Sequence, residues 1–231
     1  MLVPMTAKKS IPLTRIQRLI GQRMLESKQT QPCFYIQAKA DISRLAQIRR
    51  PLSKKLGMKI SMNDFFIRAI AVAVEKNPLM AGAFRGEHIE IAESVNIGFA
   101  VSTVKGLVTP VIKDVQTKNL ADISRQMAEL IDKARNDKLS LDELSGACIT
   151  LTVLGMFEID SFFAIPSPGQ CGIVSVGKIL EEPVFYDGKA EIGKFIEFGL
   201  AADGRIVNYD YAAKFLIDII NLVANPEKLT D

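Results

Sequence analysis

Residues 61–77, SMNDFFIRAIAVAVEKN, are apolar on nearly every side of the helix that their pattern predicts. Such a helix cannot lie on a surface, so the rest of the chain must supply layers that enclose it. Arg68 interrupts the run, and no uncharged apolar stretch reaches the length of a membrane span. Ser61 is the expected cap, and the helix is expected to end before Pro78.

Alternating segments can supply the enclosing sheet: FYIQAKADI, SVNIGFAVST, GLVTPVIKDV, ACITLTVLG, CGIVSVGKI and KFIEFGLAAD. In the second of these, Val95, Ile97, Phe99 and Val101 share one strand face, and FRGEHIEIAE reads as a hairpin. Four further helices complete the pattern. One follows Thr14 as cap and puts Ile16, Leu19, Ile20 and Met24 on one face. Asp41-Ile-Ser opens a second, which runs to about Leu56. A third repeats Leu120, Ile123, Met127, Leu130, Ile131 and Ala134, and the last stops before Pro226. Residues 1–10 are expected to form a loose lead. Without internal repeats or long linkers, one α/β domain over residues 11–231 accounts for the remainder.

A net charge of +3, interleaved with acids, argues against a nucleic-acid partner, and no membrane partner is expected. The N-terminus MLVPMTAKKS lacks an apolar signal core, which predicts a chain kept in the cytoplasm, or in the mitochondrial matrix if a transit peptide has been removed. Cys33, Cys148 and Cys171 form no CxxC pair and read as buried thiols. With a single histidine, His88, no metal site is expected. His88 lies in the hairpin, where alternation turns it to solvent. It is expected far from the segment that matters most below.

That segment is FGLAADGRIVNYDYAAKFL, residues 198–216, an apolar strand running through a short turn into an amphipathic helix. Together with IPLTRIQRLIGQRMLESKQTQPCFYIQAKADIS, KISMNDFFIRAIAVAVEKNP, NIGFAVSTVKGLVTPVIKDV and ITLTVLGMFEIDSFFAIPSPGQCGIVSVGKI, it resembles the catalytic, inner-core domain of the dihydrolipoyl acyltransferase component of 2-oxo acid dehydrogenase complexes. The resemblance implies a chloramphenicol acetyltransferase-like fold, a two-layer mixed sheet flanked by helices, assembled as a homotrimer. It also implies coenzyme A and a dihydrolipoyl arm meeting in a site between two subunits.

Thiol–thioester exchange at such a site needs a base, because a thiol of pKa about 8.5 is only a few per cent ionised at neutral pH. By the resemblance a histidine is the base, and Gly204 stands in its place. Asn208 stands where an aspartate pairs with a helix arginine, expected within residues 15–23, and Tyr209 where a glycine is usual. Thr152 matches the hydroxyl that meets the oxyanion, donated from the neighbouring chain. As a β-branched strand residue it also has a simpler role. Val153, Ala81 and Glu158 depart from a usual polar residue, asparagine and glycine. KGLVTPVI resembles the strand near the lipoyl channel, and reads equally well as a plain core strand.

These changes predict a non-catalytic relative, a structural or regulatory trimeric subunit. Its partners would be further copies of itself, an active acyltransferase or other subunits of the complex. An acyltransferase with weak or altered exchange, or a module that binds coenzyme A, remains open alongside it. If Met1 is the native start, the chain carries no lipoyl arm of its own, which would favour the non-catalytic reading.

Overall fold

The computed structural model describes residues 10–186 and 189–230; most of the expected N-terminal lead, and Asp231, lie outside them. The elements in order are α1 (Arg15–Thr30), β1 (Cys33–Asp41), α2 (Ser43–Leu56), α3 (Met62–Lys76), β2 (Gly82–Phe84), β3 (Ile89–Ile91), β4 (Ile97–Phe99), β5 (Val101–Thr103), β6 (Gly106–Val108), β7 (Val111–Ile112), α4 (Leu120–Arg135), β8 (Ile149–Val153), β9 (Gly172–Tyr186), β10 (Lys189–Asp203) and α5 (Tyr209–Ala224).

A six-stranded mixed sheet orders these strands β1-β10-β9-β8-β4-β7. The long neighbours β1, β10 and β9 pair antiparallel, and β8 runs parallel to both β9 and β4. Helices α2, α3, α4 and α5 pack together over the sheet. As its composition demands, α3 lies at the centre, with Phe65, Phe66, Ile67, Ala69, Ile70, Ala71, Ala73 and Val74 all buried. Phe66 meets Phe198 of β10 edge to face, ring centroids 5.2 Å apart. Ser61 and Asp64 close a capping box at its start, as Thr14 and Gln17 do for α1.

Two expected strands are each divided. SVNIGFAVST breaks at Ala100, so that β5 leaves the main sheet and pairs with β6 in a separate hairpin. GLVTPVIKDV breaks at Thr109-Pro110, where proline offers no donor to a ladder. By contrast, β9 and β10 run well past their apolar centres, and Glu181 pairs with Lys194 across the extension at 3.1 Å. The expected hairpin at residues 84–93 forms as β2 and β3.

The face of α1 read from the sequence finds little to cover it in this chain. Leu19 is 53% exposed, Ile16 is exposed, and Ile20 and Met24 are half-buried. At the other end the chain folds back on itself. Leu229, in the short 3-10 turn after α5, is fully buried.

Candidate functional site

The turn between β10 and α5 is built around Asp203, which is 0% exposed. Its carboxylate accepts from Arg205 Nε at 3.0 Å and Nη2 at 2.6 Å, and from the Arg205 backbone N–H at 3.0 Å. Burial alone would raise the Asp203 pKa, but the bonds from Arg205 outweigh it and hold the carboxyl below its ordinary range. The Arg205 guanidinium lies 4.3 Å from the centre of the Phe84 ring. The Asp203 carbonyl accepts from the N–H groups of Ile206 and Val207, and its own N–H donates to the Cys171 carbonyl.

Gly204 follows, exposed, its N–H donating to the Pro32 carbonyl at 3.2 Å. A Cβ placed there would lie 3.2 Å from that carbonyl oxygen and 3.7 Å from Phe34 Cδ1, so a side chain fits with a small adjustment. The next candidate position, Asn208, caps α5: its side-chain oxygen accepts the Tyr211 N–H at 2.9 Å. Tyr209 is the first helical residue, 62% exposed, with its ring stacked on Phe34 at a centroid distance of 4.1 Å.

Among the described residues, its two chain neighbours apart, no side-chain base comes within 4 Å of a Cβ at position 204. The Asp203 oxygens are committed to Arg205, and burial pushes the Cys33 thiol up. His88 is exposed, as read from the sequence. Its hairpin nevertheless packs alongside the turn rather than far from it, because Ile89 pairs with Phe84, which carries Arg205. Cys148 and Cys171 are buried, the latter with its pKa pushed up to about 12 by desolvation foremost. Among the described residues no group of His, Cys, Asp and Glu is placed to hold a metal.

Thr152 lies elsewhere. In the sheet it is opposite Ser175, which is opposite Gly199, five residues before Gly204. Two strand spacings and five residues of rise separate Thr152 from Gly204 by roughly 20 Å. One chain does not bring the two together.

Of the other departures, Ala81 is buried and Val153 half-buried. Glu158 adopts φ 61°, the left-handed region that favours glycine, which explains why glycine is usual there.

The sequence model of the 2-oxoacid dehydrogenases acyltransferase (catalytic domain) matches residues 5–230. This chain belongs to that family. It is 34% identical over 220 residues to the dihydrolipoyllysine-residue acetyltransferase component of the pyruvate dehydrogenase complex of Rickettsia felis, covering 94% of this chain and 53% of that protein. Over 224 residues it is 36% identical to the mitochondrial pyruvate dehydrogenase protein X component of Mus musculus, covering 95% of this chain and 44% of that one. The chain thus spans about half the length of the curated relatives it matches.

The dihydrolipoamide acetyltransferase of Azotobacter vinelandii superposes with a TM-score of 0.92 at 28% identity, covering 99% of this chain and 98% of that one. That structure addresses the catalytic role of a serine, a histidine 52 positions later and an asparagine four positions after the histidine. A chloramphenicol acetyltransferase, 9% identical with a TM-score of 0.55 over 87% of this chain and 94% of its own, shares the fold. Among the described residues no helix is long and apolar enough to cross a membrane.

Proposed function

We propose that this chain is a non-catalytic member of the acyltransferase core, a structural or regulatory subunit that assembles as a trimer. The observation that carries the reading is Gly204. Thr152, Gly204 and Asn208 stand at the same intervals as the serine, histidine and asparagine of the A. vinelandii enzyme. Read against that protein, the hydroxyl position keeps a hydroxyl and the base position has no side chain. Asn208, expected from the family pattern to mark a lost carboxylate, matches an asparagine and caps α5. The loss is therefore concentrated at Gly204, with Tyr209 added beside it.

A general base contributes a factor of about 100 to 10,000. The neighbours of Gly204 do not replace it, since a carboxylate held below its ordinary range and bonded to arginine is a poor proton acceptor. The frame around the position is intact, and its groups have structural partners of their own. A role in assembly needs that frame and not the base. The distance between Thr152 and Gly204 fits a site shared between copies, and the uncovered face of α1 offers surface for such contacts. The X component of Mus musculus is likewise named for its place in pyruvate dehydrogenase and not for a transferase reaction.

Affinity isolation of the chain from its native cell tests the role. Co-purification of an acyltransferase or other 2-oxo acid dehydrogenase subunits is expected. Recovery of the chain alone, at native concentration, would contradict a subunit role.

A further inference from the structure

The geometry points to Tyr209 as a second block on the site, an occluding residue that competes for the space a base at position 204 would need. This deepens the reading of Gly204 as a vacant base position and rests on it. A side chain leaving Gly204 begins 3.7 Å from Phe34 Cδ1, in van der Waals contact with that ring. Phe34 already carries the Tyr209 ring at 4.1 Å, tilted by 31°. An imidazole at position 204 and the Tyr209 ring therefore share one aromatic neighbour at one edge of the sheet.

Tyr209 is held there by more than the stack. It is the first residue of α5, and Asn208 fixes the helix start through the Tyr211 N–H. The sheet side is fixed too, because Phe34 sits opposite Ala202 in the β1–β10 ladder. Both backbones are thus fixed, and only a change of rotamer by the exposed tyrosine would part the two rings. Most of the tyrosine's surface is exposed, and Gly204 beside the same Phe34 ring is exposed as well. The backbone itself is not the obstacle, since Gly204 does not occupy the left-handed region and meets only the Pro32 carbonyl closely.

The test compares Gly204→His, Tyr209→Gly and the double variant, with Gly204→Ala as a control for crowding against Pro32. Acetyl transfer from acetyl-coenzyme A to dihydrolipoamide is expected to stay low in Gly204→His and to rise at least about tenfold in the double variant. Equal rates in the two would overturn the proposal.

Proton NMR gives a readout independent of turnover, because His88 is the sole natural histidine. In Gly204→His the introduced imidazole should show ring-current shifts from both rings, and the added Tyr209→Gly should change them to those of Phe34 alone. Identical imidazole shifts in the single and double variants would overturn the proposal even if neither turns over. Turnover by the unmodified chain would instead overturn the non-catalytic reading, and the NMR comparison would still decide the place of Tyr209.

Discussion

Replacing Arg205 by alanine should destabilise the fold by about 2–3 kcal/mol at neutral pH. The substitution leaves the fully buried Asp203 carboxylate without its cation. Removing one partner of a buried pair costs about 3–5 kcal/mol when the other stays charged and dry. Here the Arg205 side chain is 31% exposed, and Asp203 keeps the N–H of residue 205 and a bond from Gln31. Those two features bring the cost to about half the full range, about 2 kcal/mol. Loss of the guanidinium from the Phe84 face adds about 0.5–1 kcal/mol.

For a chain of this length, that corresponds to a fall in Tm of about 5–10 °C in a thermal melt followed by circular dichroism. The pH dependence carries a sign. Because the folded carboxyl lies below its unfolded value, its stabilisation is present above the ordinary carboxylate pKa, about 3.9, and is lost as pH falls through the folded pKa. The gap between parent and Arg205→Ala should therefore be widest at neutral pH and narrow below about pH 4 towards the part contributed by the Phe84 contact. A Tm within about 1 °C of the parent at pH 7 would refute the reasoning, and so would a gap that widens in acid.

Phe215 is fully buried on α5, and Phe215→Ser should cost at least the 3–5 kcal/mol typical of emptying such a site, read as lost soluble yield or a steep drop in Tm. Glu158→Gly should stabilise by about 0.5–1 kcal/mol, because the left-handed backbone there strains a side chain, and its ion pair to Lys178 at 3.5 Å is exposed; a lower midpoint in urea would count against this. Light scattering should give a mass near three chains and no large cage, since Leu229 is spent on its own core and is not free to dock on a neighbour. A particle of many trimers would show a contact elsewhere.

The parts of this fold set by local chemistry were readable from the residues. Thr14 and Ser61 cap as their positions suggest, and α3 is buried because no orientation of it could be left wet. The breaks at Ala100 and Thr109-Pro110 were not readable in the same way. Apolar alternation continues through both, and tertiary pairing decides where β5 and β6 turn away. The length of β9 and β10 was hidden by charged residues such as Glu181 and Lys194, which an exposed extension tolerates.

At the site, the proposal that Gly204 stands at a base position rests on family spacing and not on any local chemical signal. The cap made by Asn208 was signalled by an asparagine just before the helix, yet family pattern pointed elsewhere. The stack of Tyr209 on Phe34 was beyond sequence, since it joins two elements 175 positions apart. The neighbourhood of the His88 hairpin and Arg205 was hidden for the same reason.

Steady-state acetyl transfer between coenzyme A and dihydrolipoamide, measured on the purified chain beside an active family member, tests the central claim most directly. With no side chain at position 204 to take the thiol proton, turnover is expected more than about a hundredfold below the active relative. Turnover within that hundredfold would contradict the account and show that the chain supplies a base from some other residue.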